Sequence, residues 1–124
     1  MDITLNEKES SKVAVIQSDE TLITAVQDAL DLMASVRYLH DCHKMIINKE
    51  AFTEDFFDLK SKIAGDILQK YTNYKVKLAI VGDFSGYQSK SLRDFIRESN
   101  AGNQVLFLPT VEIALERLHG DAFC

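Results

Sequence analysis

Hydrophobic positions in this chain follow two spacings, and the alternation between them outlines the fold. Lys12–Gln17 (KVAVIQ), Met45–Ile47, Val76–Val81 (VKLAIV) and Val105–Leu108 are short, nearly unbroken apolar runs. Runs of that length predict strands, and the nearly continuous Val76–Val81 predicts a central strand covered on both faces. Between them apolar residues recur every three or four positions. The first stripe is Leu22, Ile23, Val26, Leu30 and Met33. The second is Phe56, Ile63, Ile67, Leu68 and Tyr71, widened by Phe57, Leu59 and Ala64. The third is Leu92, Phe95 and Ile96, and the fourth Val111, Ala114, Leu115 and Leu118. Each is the inward stripe of an amphipathic helix. Residues 2–6 predict a short edge strand and 8–11 a turn, so Asp2–Gln17 forms a hairpin.

The expected order is ββαβαβαβα within one α/β domain spanning residues 1–124. Strand–helix alternation after the hairpin argues for a mostly parallel five-stranded sheet, and right-handed crossovers for helices on both faces. Ser18 or Asp19 is the expected cap of the first helix, which gives way to a loop around Tyr38–His43. Thr53 is the expected cap of the second helix, with Glu54 and Asp55 in its first turn and an end near Tyr71. Gly65 inside that helix costs about 1 kcal/mol relative to alanine, which predicts a close approach by a neighbouring element. Ser91 with Asp94 has capping spacing for the third helix, which Gly102 stops. Thr110 caps the fourth, and Gly120 ends it.

Parallel strands would place Gln17, Asn48, Phe84 and Leu108 along one rim, where the loops of open α/β sheets gather ligands. The candidate site there is Asn48, Asp55, Asp83, Ser85, Lys90 and Arg93, with Glu54 alongside. Asp83 is suited to act as a base or to bind a cation. Lys90, Arg93 and the free N–H groups near Ser89 are suited to hold an anion. The plainer alternative is that Asp83 stabilises its own turn and the charges are solvated. Gly82–Gly86 followed by Ser89-Lys90-Ser91 lacks the spacing of a phosphate-binding loop. His40-Asp41-Cys42-His43 offers metal-ligand types, but no second pair at zinc spacing follows, so no metal site is expected. A Cys42–His43 nucleophile pair would need facing side chains and an orienting third group. Phe52, Phe56, Phe57, Tyr71, Tyr74, Phe84, Tyr87 and Phe95 are expected mostly in the core. Phe56 and Phe57 are adjacent, so one is expected to face a partner or a loop pocket; with Gly65 this motivates a homodimer.

Composition narrows the classes. A chain of 124 residues with 46% hydrophobic and 27% charged residues can bury a core without metals or disulfides. The net charge of −5 and the lack of a basic run argue against nucleic acid. No apolar run reaches membrane-spanning length, and the opening MDITLNEKESS lacks the order of a signal peptide. A cytoplasmic location without membrane contact is the expectation. Cys42 and the terminal Cys124 make no disulfide framework. No cofactor motif is present, so no cofactor is expected.

The segments LDLMASV, NKEAFTEDFFDLKSKIAGDILQKYTNYKVKLAIVGDF and SKSLRDFIRESNAGN resemble the small bacterial family catalogued as domain of unknown function 4180, over Val13 to Leu118. The resemblance implies a compact bacterial α/β domain and carries no activity. A wider similarity, in element order alone, is to the STAS-like fold of anti-sigma-factor antagonists. Those proteins place a phosphorylatable Ser or Thr at the start of the helix after a central strand, where this chain has Thr53 in AFTED, without the usual Asp-Ser or Asp-Thr doublet. A phosphate on Thr53 would meet a helix N-terminus but lie beside Glu54 and Asp55, which repel it.

The first functional expectation is a non-catalytic regulatory or protein-interaction module working near Thr53 and the Asp83 loop. The second is a binding protein or enzyme for an anionic small molecule, with Asp83 and Asp55 as acid/base groups and Lys90 and Arg93 holding the substrate. A dry pocket with perturbed carboxylates at the strand ends would favour the second. A flat rim and an exposed apolar patch would favour the first.

Overall fold

The computed structural model describes residues 1–120; Cys124 lies outside them. Its strands are β1 (Asp2–Lys8), β2 (Ser11–Gln17), β3 (Lys44–Asn48), β4 (Lys77–Val81) and β5 (Val105–Leu108). Its helices are α1 (Val26–His40), α2 (Ile63–Asn73), α3 (Lys90–Ala101) and α4 (Val111–His119). The α/β class, the five strands and the four helices are as expected. The sheet, however, is mixed rather than mostly parallel. β1 runs antiparallel to β2, and β2 to β5 are parallel. The hairpin turns in two residues, with Glu9 in the left-handed conformation (φ 58°), and so leaves β1 as an antiparallel edge.

Strand order in the sheet equals chain order. Crossovers of one hand between successive neighbours must then all lie on the same face. That face carries Ala14, Ile16, Met45, Ile47, Leu78 and Ile80, buried beneath α1, α2 and α3. Tyr71 of α2, fully buried, donates its hydroxyl to the Ala29 carbonyl of α1 (2.7 Å) and ties the two helices together. α4 follows the last strand and is free of that rule. Its Ala114 and Leu118 cover the opposite face, on Val13, Ile46, Ala79, Val81 and Leu106.

Helix boundaries depart from expectation where tertiary contacts outcompete local signals. α1 begins at Val26 instead of after Ser18, because residues 19–24 form a bent, non-helical strap with a bridge at Ile23. Leu22 and Ile23 donate to the Ala51 carbonyl, and Thr53 donates back to Ile23. The Asp28 carboxylate accepts from the Thr24 amide and hydroxyl and from the Ala25 amide, closing the first turn. α1 also continues through Tyr38 to His40, where Asp41 in the left-handed region (φ 49°) ends it.

The second expected helix is divided. Three 3₁₀ turns, Lys49–Ala51, Glu54–Phe57 and Leu59–Ser61, precede α2, and Lys62 at φ 67° separates them from it. Thr53 therefore caps no α-helix, and its side chain makes no capping hydrogen bond. The division lets adjacent Phe56 and Phe57 both be buried. Phe56 packs on Phe52 (centroids 4.7 Å apart), and Phe57 stacks on Tyr87 (5.0 Å). Gly65 faces open space, with nothing within 4 Å of where a Cβ would stand, so no close approach explains it. In α3 the capping hydroxyl is that of Ser89, 3.2 Å from the Leu92 amide, rather than that of Ser91. Thr110 caps α4 as expected, accepting from the Ile113 amide (3.2 Å).

Candidate functional site

The strand tips do share one border. Asn48, Val81 and Leu108 are in register across β3, β4 and β5, and Ile47 lies beside Ile16 of β2. Outgoing chains diverge at a single point along it: the loop after β4 leads to α3 on one face, and that after β5 to α4 on the other. Such divergence opens a crevice, here a cavity of about 290 Å³ lined by Gly82, Asp83, Phe84, Phe107, Leu108 and Pro109.

Among the described residues no single network of hydrogen bonds or ion pairs joins the predicted site residues along this rim. Asn48 pins the strap: its Oδ1 accepts from the Ser18 amide (2.9 Å) and its Nδ2 donates to the Ser18 carbonyl (2.7 Å). Asp83 and Ser85 do meet, within one turn. Asp83 Oδ1 accepts from the Ser85 hydroxyl (2.6 Å) and amide (2.9 Å). These bonds, the hydroxyl's foremost, hold the Asp83 carboxyl below the usual carboxylate range. A general base for neutral pH needs the opposite shift. Lys90 pairs with Asp94 along its own helix (3.7 Å), and Arg93 is exposed. Among the described residues no hydrogen bond or ion pair joins Asp55, Lys90 or Arg93 to Asp83.

The cation at the rim is one that sequence reasoning missed. Lys49 lies across Gly82, donates Nζ to the Asp83 carbonyl (3.0 Å) and sits over the Tyr87 ring (4.7 Å). The Tyr87 hydroxyl is buried without a hydrogen-bond partner among the described residues. Burial pushes that phenol up, against a smaller downward pull from Lys49.

A second missed cluster stands at the opposite end of the sheet. Lys44 is fully buried and donates Nζ to Ser11 Oγ (3.0 Å) and to the Leu118 carbonyl (2.8 Å). His119 places Nδ1 on Ser11 Oγ (2.8 Å) and Nε2 on Asn6 Oδ1 (2.7 Å). Asn6 Oδ1 is an acceptor, so Nε2 carries the proton and Nδ1 accepts from Ser11. The chain of groups has the order of nucleophile, base and orienter. Its members line neither the strand-end cavity nor the groove described below. Lys44 meets the carbonyl end of α4, where a cation is favourable, so the cluster acts as a clamp between hairpin and helix. Nearby Cys42 is buried, its thiol directed at the Lys12 and Lys44 carbonyls.

A larger concavity than the strand-end one lies elsewhere, along α1. An open groove of about 750 Å³ has walls of Leu30, Met33, Ala34, Tyr38 and Tyr74, edged by Gln27, Asp31, Arg37, Asp41 and His43. Tyr38 is 90% exposed and Tyr74 52%. Continuing α1 past its inward stripe places Tyr38 outward. The sequence signal was that Tyr38 lies off the stripe, five residues beyond Met33. Tyr74, one of the aromatic set expected mostly in the core, sits at the end of α2 facing this groove.

Fold and surface together define a small α/β domain with an open groove along α1 walled in part by Tyr38 and Tyr74. The family described as Domain of unknown function (DUF4180) matches residues 8–118, and the chain belongs to that family. No curated protein and no solved structure matches it, so the STAS-like resemblance rests on element order alone. No helix among the described residues is long and apolar enough to cross a membrane.

Proposed function

We propose that this domain is a non-catalytic protein-interaction module whose docking face is the α1 groove. The observation that carries the reading is Tyr38. A tyrosine 90% exposed on a regular helix, beside an apolar-walled groove, is covered by nothing among the described residues. Aromatic side chains at the rim of a concavity are the residues on which protein interfaces concentrate affinity. The rim reading is weaker because its best carboxylate, Asp83, is engaged by Ser85 and lowered rather than raised.

A photo-crosslinking amino acid placed at position 38 in the producing cell, with position 85 as the rim control, tests this. Adducts at 38 and none at 85 are expected. A thermal-shift screen with metabolites, nucleotides and metals forms the second arm. A ligand that stabilises the native chain but not Asp83→Ala would overturn the reading in favour of a rim site for an anionic small molecule.

A further inference from the structure

We propose that the occupant of the groove is a second copy of this chain, its α1 lying antiparallel to the first about a two-fold axis at Ala34. The proposal rests on the groove being a docking face and names its partner. The observation is a symmetry in the chemistry of α1. Positions equally far before and after Ala34 carry complementary groups. Asp31 and Arg37, about one turn to either side, have opposite charges. Leu30 and Tyr38, the next pair out, are both apolar. Gln27, near the start of the helix, and Asp41, in the left-handed turn just beyond its end, are an amide donor and a carboxylate. All six residues line the groove, and Ala34 lies at its middle.

An antiparallel pairing of two identical helices brings each position opposite its mirror position in the other copy. Asp31 then meets the partner's Arg37 and Leu30 meets the partner's Tyr38, each contact occurring twice. The small side chain of Ala34 stands where the two backbones cross most closely. Asp31 is already turned along the groove by Gln27, whose Nε2 donates to its Oδ1 (2.8 Å), and the second carboxylate oxygen is left to face an incoming guanidinium. The partner's Tyr38 enters the space between Leu30, Met33 and Tyr74, so the most exposed aromatic ring fills the concavity beside it. An unrelated partner would require no matching of α1 to itself. Self-matching of charge, apolar surface and the small central residue about one point favours an isologous contact.

Sedimentation velocity of the full chain over a dilution series provides the test, with Asp31→Arg, Arg37→Asp, the double swap, and Ser85→Arg as a charge control on the rim. A reversible monomer–dimer equilibrium is expected for the native chain. Either single reversal sets like charges face to face twice per dimer and should weaken association by about tenfold or more. The double swap restores the pairing with polarity reversed and should recover most of it, while Ser85→Arg should leave it unchanged. Ala34→Gln keeps helix propensity, blocks the crossing and should abolish the dimer, with circular dichroism confirming that the fold persists. A native chain that stays monomeric, or single reversals that dimerise undiminished, would overturn the proposal. If the chain is monomeric while position 38 still crosslinks to another protein, self-pairing fails and the docking face stands. If neither is seen, both fail.

Discussion

Gly82 and Gly65 show how the same residue type serves opposite ends. At Gly82 a Cβ would stand 2.7 Å from Lys49 Cβ, near the root of that side chain rather than its flexible end. Gly82→Ala must therefore displace the Lys49 stem, which bridges to Asp83 and covers Tyr87. A loss of about 1–3 kcal/mol is expected by urea unfolding. At Gly65 the same change meets open space on an exposed helix face. Gly65→Ala should raise stability by about 1 kcal/mol, the helix-propensity difference with no steric penalty. The sequence shows a glycine at each place but not what lies beside it. Lys44 teaches the same lesson for charge. A lysine bordering an apolar run looks like a solvated strand end, because Ser11 and the last carbonyls of α4 reach it only through the folded sheet.

At the scale of elements, legibility follows how local the determining contacts are. The strands were legible because unbroken β-branched runs have few other uses, and the shared border followed from their alternation with helices. Thr110 was legible as a cap because nothing competes with it. The stretch after β3 was not: Thr53, Glu54 and Asp55 imitate a helix start, but one regular helix cannot bury both Phe56 and Phe57 against the same sheet. The chain resolves the conflict with 3₁₀ turns. α4 and the hairpin are joined by His119, which yields a pH dependence. Burial foremost, then the charges of Lys44 and Lys8, hold its imidazole below the usual histidine range; Ser11 and Asn6 complete its surroundings. A depressed pKa means that folding favours the neutral ring. The stabilisation is present above the unfolded histidine value of about 6.5 and is lost as pH falls through the lower folded value. Melting temperature should thus fall between about pH 7 and about pH 5 more steeply for the native chain than for His119→Gln. Equal slopes would show that His119 is not the titrating group.

At the scale of the molecule, the site was less legible than the fold. Alternation of strands and helices predicts one border of strand tips, and the border exists. Side chains near it are engaged by other groups of the protein: Asn48 by Ser18, Asp83 by Ser85, and the exposed Lys90 by Asp94 of its own helix. The groove lies on a helix that runs past its own apolar stripe, so the sequence pattern alone puts its defining tyrosine in a loop. The strand arrangement has one further consequence, for synthesis. Because neighbours in the sheet are neighbours in the chain, each βα step can settle on its predecessor as it emerges, building one side of the protein in order. The reverse side has no such schedule. Val13, Ile46, Ala79 and Leu106 wait for a helix encoded after every strand, so a nascent chain passes through a stage with one side finished and the other oily and bare. A stalled ribosome at that stage would display a surface that chaperones recognise.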